Sequence, residues 1–416
     1  MDSIEAAPGA ALGAGAEIDV DAERARTFGA GLSHHLNAAG AALPSRGVTA
    51  AVVDHLRREE RYGGYEASAA IRERGEDVYA AAATLIGARP REIALFDSAS
   101  TGLRVLVDAL RMARGERVVA SSTTYVSHAM HLMTIAREHD VDLVVAPVDD
   151  TRRVDLGALE ALLADGRPSI VSVSHIPTSS GLVEPAEGIG RIARRYGATY
   201  ILDATQSVGH LNVDVGAIGC DALVTTGRKF LRAPRGTGFA YIRESLLERL
   251  TPTAPDVRGA RWLSPSGWEL SPDARRFESW ESPVAARLGL GVALRETIAR
   301  SPESTERWLR ARARLLRSAL ADIPGVTIAD PDGAASAIVT FVVDGVDSPA
   351  VVEALAARNV RVVAVPATHG QWDLGARALP SVVRASVHVY NDDKDLGALV
   401  DGVRMVTAGR DGEAGG

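Results

Sequence analysis

The sequence predicts an α/β protein: a large, mainly parallel sheet of seven strands covered by helices on both faces, followed by a smaller α+β unit. Three observations carry this. Short apolar runs recur at 93–96, 117–120, 142–146, 169–173, 199–202, 221–225 and 238–242. Most are separated by helix-length amphipathic segments such as "TGLRVLVDALRMARG" and "AEGIGRIARRYG", and short buried strands alternating with helices call for a parallel sheet between two helical layers. Past residue 285 the alternation gives way to a long helical stretch and then strands near 336–343, 360–364 and 382–389.

Taken in chain order, the first residues are Ala/Gly-rich, and 1–30 is expected to be a flexible arm. "RGVTAAVVDHLRREERYG" puts Val48, Val52, Val53 and Leu56 at helical spacing and ends in Gly63, a C-cap residue, so a helix is predicted there. Residues 31–285 form the large domain. Residues 286–407 form the small one, opening with a helix broken near Ser301–Pro302, and 408–416 is expected to be a disordered tail.

With 416 residues, 46% hydrophobic and 24% charged, the chain can bury a large core. A formal net charge of -7 provides no field for nucleic acid or an anionic membrane, so neither is an expected partner and a small molecule is. The single cysteine, Cys220, excludes an internal disulfide and a cysteine metal cluster, and reads as a small buried apolar residue. His128 and His131 fit helical i,i+3 spacing but have no acid or cysteine nearby, so no metal site is expected. The start lacks a basic n-region and apolar h-region, and no apolar run reaches 18 residues, so a cytoplasmic protein is expected.

In open α/β sheets ligands bind beyond the carboxyl ends of the strands. The segments there are "DSASTG", "SSTTYVSH", "SHIPTSSG", "DATQSVGH" and "TGRKF". Lys229 directly follows a buried strand with Arg228 beside it. A neighbouring cation and desolvation both lower an amine's pKa, and a neutral amine is what forms a Schiff base. Asp203 ends the adjacent candidate strand. Neither a G-x-G-x-x-G fingerprint nor a G-x-x-x-x-G-K-[ST] loop is present, which removes the main support for dinucleotide or triphosphate binding. A carboxylate opposite such a lysine can keep a pyridinium nitrogen protonated, so Asp203 and Lys229 read as two halves of a pyridoxal 5'-phosphate site. Ser98, Ser100 and Thr101, before a periodic apolar helix, can meet a phosphate through hydroxyls, backbone N–H groups and the helix dipole. Thr226 and Arg228 add donors.

These segments carry a resemblance. "ILDATQSVGH" and "TTGRKFLRAPRGTGFAYI", with a 26-residue step from Asp203 to Lys229, and "VVRASVHVYN" resemble the class V aminotransferase family of fold-type I pyridoxal phosphate enzymes over roughly residues 33–405. The resemblance implies that Lys229 bonds the cofactor, Asp203 pairs with its pyridine nitrogen, and Gln206, with Thr178, approaches its phenolic oxygen. It further implies that Ala99, Ser100, Thr226 and Arg228 hold the phosphate, that Tyr125 stacks on the ring, and that Arg384 binds a substrate carboxylate. His35, Asn37 and His388 lie in segments that the family places near the substrate. A homodimer is implied as well.

Two departures narrow the activity. Cysteine desulfurases in this family use a nucleophilic cysteine on a loop before the arginine, and "VAVPATHGQWDLGARALPS" has none. Many relatives also place a Gly–Thr pair near Trp280–Glu281 for a phosphate contact across the dimer, and an acid stands here. "HHLNAAGAALPS", "GGYEAS" and "RRFESWE" are most similar to the C–S lyase-like group of ergothioneine and lincosamide antibiotic pathways. That resemblance implies β-elimination on an S-substituted cysteine, with Lys229 removing the α-proton and Tyr125, His35 and His388 as candidates to protonate the departing sulfur. Transamination, decarboxylation, epimerisation and a non-catalytic binding role remain open alternatives at this level.

Overall fold

The computed structural model describes residues 17–413, with side chains through 408. Its large sheet has seven strands: β1 (Ile93–Phe96), β2 (Arg117–Ala120), β3 (Asp142–Val145), β4 (Ser169–Ser174), β5 (Thr199–Asp203), β6 (Ala222–Thr226) and β7 (Gly238–Ile242). Their spatial order is β1-β7-β6-β5-β4-β2-β3. All pairings are parallel except those of β7, which runs antiparallel to both β1 and β6. Side chains alternate between two cores: Tyr200 and Leu202 pack on one face, Ile201 on the other. A sheet buried on both sides is what makes its strands read as continuous apolar runs.

A second sheet of four strands lies toward the C-terminal end: Val326–Ile328, Ile338–Val343, Ser381–Ser386 and Val363–Pro366, in that spatial order and antiparallel. Two elements escaped the sequence pattern, the Val326–Ile328 edge strand and a hairpin of Ala260–Ser264 with Gly267–Leu270. The hairpin is exposed on both faces, so it has no buried stripe to betray it.

The helix α1 (Arg46–Tyr62) forms as expected, with Ser45 as its N-cap and Gly63 ending it at φ 88°. Its buried stripe differs, however: Val48, Ala51 and His55 face inward and Leu56 is exposed. The helix α2 (Val284–Ala299) packs on α1 and on the helix Arg72–Ile86. Past the Ser301 kink (φ 63°) the next helix, Pro302–Ala321, packs instead on the strands and last helix of the C-terminal part.

The described parts of both chain ends contain helices. Within the expected arm, Val20–Ala25 is helical, and Glu23 is buried against Arg232 (2.8 Å) and Arg300 (3.6 Å). An Ala/Gly bias hides this because the ordering comes from a distant ion pair, not from local periodicity. The last helix runs Asp393–Glu413, into the expected tail. Residues 1–16 of the arm and 414–416 of the tail lie outside the described residues.

Candidate active site

The register of the large sheet brings the chemistry together. Ser174 lies opposite Asp203, and Asp203 opposite Val224, so Asp203 and the chain following Thr226 share the carboxyl edge. After β6 the backbone turns at once: Gly227 donates to Thr237 O at 2.8 Å and Arg232 to Lys229 O at 2.9 Å. A Cβ at Gly227 would sit 2.2 Å from Thr237 Oγ1, so only glycine permits this turn. On the other side, the helix Ala99–Ala109 begins at the same edge, with Ser98 Oγ accepting from Thr101 N at 3.1 Å.

A cavity of about 290 Å³ opens between these elements, near the lower end of roughly 300–1,000 Å³ typical of small-molecule sites. Its wall includes Ala99, Ser100, Tyr125, Thr178, Asp203, Gln206, Thr226, Arg228 and Lys229, all expected from sequence. Thr101 is not on that wall; its hydroxyl meets Ser98 Oγ at 3.0 Å. Arg384 stands behind Thr178, buried, with Nη1 donating to Thr178 Oγ1 at 2.5 Å and Nη2 to Asn37 Oδ1 at 3.3 Å. A larger concavity of about 460 Å³ lies elsewhere, between Tyr65, Tyr79, Arg258 and Trp280, and contains none of the lysine cluster. Glu281, the expected departure, lines that second concavity.

The electrostatics favour a neutral amine. Burial pushes Lys229 well below the ordinary lysine range, and the Arg228 and Arg384 charges push the same way, against Asp203. Burial raises Asp203, opposed by hydrogen bonds from Thr205 and by Lys229. The two groups thus hold each other's charge only weakly, as suits partners that await a third. Gln206 and Thr205 each leave a buried oxygen without a partner, Gln206 Oε1 and Thr205 Oγ1, and both residues line the cavity. Gln206 Nε2 donates to Ala39 O at 3.2 Å, which engages one of its two N–H groups.

Two expected histidines are placed differently. His388 donates through Nε2 to Phe230 O at 3.0 Å, accepts at Nδ1 from Val389 N at 2.8 Å, and stacks on the Tyr390 ring at 5.1 Å. Both of its nitrogens are committed within the protein, it braces the lysine segment through Phe230, and it is not on the cavity wall. His35 faces Tyr390, with Nδ1 3.1 Å from the phenol oxygen, off the cavity wall. Equivalent spacing in "VHVYN" cannot distinguish an inward ring from one facing a substrate.

Other wall residues were not singled out for this role: Thr123, Thr205, Arg235, Gly236 and His128. Arg235, in "RAPRGTG", was legible as a cation shortly after Lys229. His128 points its Nε2 at Ser172 Oγ (2.8 Å) while His131 meets Asp108 (2.8 Å), so the two rings turn to different partners. Among the described residues no cluster of three or more His, Cys, Asp or Glu could hold a metal.

Cys220 precedes β6 at its amino end, while Lys229 follows the carboxyl end. Its thiol is buried and pushed up to about 12, chiefly by that burial. Burial and a raised pKa both disfavour the thiolate, and the residue lies at the edge of the sheet opposite Lys229.

Fold and cluster together define an α/β scaffold of the kind that presents a buried lysine and an acid to a small molecule at the sheet's carboxyl edge. Comparison with known proteins gives the family: the aminotransferase class-V description matches residues 35–399, and the chain belongs to that family. A probable hercynylcysteine sulfoxide lyase of Mycobacterium tuberculosis is 29% identical over 384 residues, 91% of each chain. Among solved structures, the apo cysteine desulfurase of Thermococcus onnurineus NA1 is similar with TM-score 0.88 at 22% identity, covering 95% of this chain and 100% of that one. A lysine-to-alanine mutant of C-DES with glycine covalently linked to its PLP cofactor gives TM-score 0.81 at 21% identity, covering 91% and 98%.

Proposed function

We propose that the protein is a pyridoxal 5'-phosphate-dependent C–S lyase that performs β-elimination on S-substituted cysteines, thioethers or sulfoxides, releasing a thiol or sulfenate with pyruvate and ammonia. The residues fit the cofactor. An aldehyde needs a neutral lysine amine, a pyridine nitrogen needs a facing acid, and a phosphate needs the helix start at Ala99–Ser100 with Thr226, Arg228 and Arg235 around it. When bound, the cofactor supplies an electron sink that makes an amino acid's α-proton acidic.

The chain's own groups do the rest. Arg384 holds the α-carboxylate through the N–H donors left free on its Nε side, since Nε has no partner in the protein. Asp203 would accept the pyridine N–H and so keep the bound ring protonated. Lys229 removes the α-proton through Nζ, a task suited to an amine whose burial keeps it uncharged. The C–S bond then breaks with its electron pair leaving on sulfur, and water completes hydrolysis to pyruvate and ammonia. Tyr125 stays a candidate acid at the cavity wall, whereas the bonding of His388 argues against it in that role.

The observation that carries elimination over desulfuration is the lone cysteine. With its one thiol buried, unreactive and beyond β6, the chain has no acceptor for a persulfide. The sulfoxide-lyase relative supports the same reading, and a place among the ergothioneine and lincosamide C–S lyases is part of the proposal on the sequence segments alone. A cytoplasmic homodimer is part of the proposal; exposed Val257, Trp262, Leu263 and Trp268 on and beside the hairpin supply an apolar face for a second copy. No helix among the described residues is long and apolar enough to cross a membrane.

The test has two arms. Purified protein absorbs in the visible, borohydride bleaches it, and Lys229→Ala lacks it. Protein that stays colourless with added cofactor refutes the cofactor assignment. S-conjugated cysteines and their sulfoxides then yield pyruvate; keto acid-dependent amine transfer, carbon dioxide release or racemisation without pyruvate replaces the lyase reading.

A further inference from the structure

We infer that His369 delivers the proton to the departing sulfur. This rests on the lyase reading and assigns it a residue that neither the sequence motifs nor the family comparison supplied. The α-carbon of an amino acid has three heavy substituents. Here two have buried partners, the amine near Lys229 and the carboxylate at Arg384, both within the protein interior. The third, carrying sulfur, must leave by the open side of the cavity. Tyr125 marks that side: it lines the cavity, is 36% exposed, and its phenol is within electrostatic reach of both Arg228 and Arg384. The His369 ring meets the Tyr125 ring edge-on, centroids 6.4 Å apart at 61°.

His369 itself is not on the cavity wall, and its contact with the Tyr125 ring places it one side chain outside; the loop that carries it is held in place there. It runs between the strands Val363–Pro366 and Ser381–Ser386, the second of which contains Arg384. Asp373 fastens it: Oδ2 accepts from Ser179 Oγ at 2.7 Å, next to the Thr178 that binds Arg384, and Oδ1 meets Arg152 at 3.4 Å. The loop's other titratable groups are committed, Asp373 as stated and Arg377 to Ala329 O at 2.6 Å. His369 is exposed and makes no hydrogen bond or ion pair among the described residues. A fixed loop thus presents one uncommitted proton carrier, open to water for reprotonation, beside the path of the third substituent.

The balance is simple. The α-proton goes to Lys229, the C–S electron pair goes to sulfur, and the His369 imidazolium proton neutralises the thiolate or sulfenate; bulk water then recharges the ring. An acid matters only when the leaving group is basic, which makes the proposal separable from general damage.

In the holoenzyme, His369→Ala lowers pyruvate release from S-ethylcysteine by roughly 100-fold, within the range for a general acid, and lowers release from 3-chloroalanine at least tenfold less. Added imidazole restores part of the S-ethylcysteine rate. Equal losses on both substrates, or no rescue combined with a selective loss in Tyr125→Phe instead, overturn the assignment to His369. A second readout needs no turnover. In Lys229→Ala protein loaded with cofactor, S-benzylcysteine slows diethyl pyrocarbonate labelling of His369, measured by peptide mass spectrometry, and alanine does not; identical labelling with both ligands also refutes it. Wild-type protein that releases pyruvate from neither substrate refutes the lyase reading itself, and His369 as its acid falls with it.

Discussion

Replacing Arg384 by Gln gives the most quantitative test of the substrate clamp. Arginine carries five N–H donors. In the protein Nη1 serves Thr178 and one N–H of Nη2 reaches Asn37, while Nε is buried without a partner. The Nε–H and the remaining Nη2–H lie along one edge, the geometry that grips a carboxylate with two parallel bonds. Each charge-assisted bond contributes about 1.5–3 kcal/mol, so losing both costs about 3–6 kcal/mol, or roughly 10²–10⁴-fold in kcat/KM. Arg384→Lys keeps charge but not the fork and falls between. The assay compares an S-substituted cysteine with the corresponding S-substituted cysteamine, which lacks the carboxylate, reading binding of both by the cofactor's spectral shift and turnover of the first by pyruvate release. The expected result is a large loss for the carboxylate-bearing ligand and little for the other. Equal losses in binding the two ligands refute the clamp.

Other expectations follow from burial and charge. Glu23→Ala leaves Arg232 and Arg300 buried without their acid and costs about 3–5 kcal/mol; denaturant unfolding checks it, and a change under 1 kcal/mol refutes a structural role for the first helix. Glu184 is pushed up to about 8, mainly by burial. A carboxyl raised in the folded state contributes stability that is full below the unfolded value and is lost as pH rises through about 8. Glu184→Gln therefore gains on wild type as pH increases from about 5 to 9, with an upper bound of about 5 kcal/mol; a pH-independent difference in melting experiments contradicts this. Cys220→Ala retains pyruvate release within about twofold, since a buried thiol of raised pKa has no nucleophilic part to play. Abolished turnover in a folded variant, or a persulfide found on Cys220 in the wild type, would reverse the choice between lyase and desulfurase.

What the sequence made legible follows from how locally each feature is encoded. Six of the seven strands of the large sheet were readable because both faces are buried, so each appears as an apolar run, and the edge strand β3, exposed at both ends, was readable from its Leu-Val-Val run alone. The strand-end rule then located Asp203, Gln206, Thr226, Arg228 and Lys229 on one cavity wall. The exposed hairpin at Ala260–Leu270 has no such run and was missed. The placing of His388 was not legible because its bond to Phe230 depends on the fold of a segment 158 positions away. His369 was invisible for a related reason: a loop histidine carries no pattern, and only its closeness to Tyr125 and the Asp373 fastening give it meaning. The ordering of Val20–Ala25 likewise comes from Arg232, not from anything in the Ala/Gly-rich stretch before it.

The contact between Asn37 and Arg384 joins residues 347 positions apart. The Arg384 guanidinium is therefore oriented by a residue from the opposite end of the chain. Arg24, which reaches Tyr390 O at 2.8 Å and Asp395 at 2.7 Å, closes the same gap from the other direction. The setting of Arg384 thus draws on chain segments from opposite ends of the sequence, so a truncation that removes either segment takes away a partner of the other.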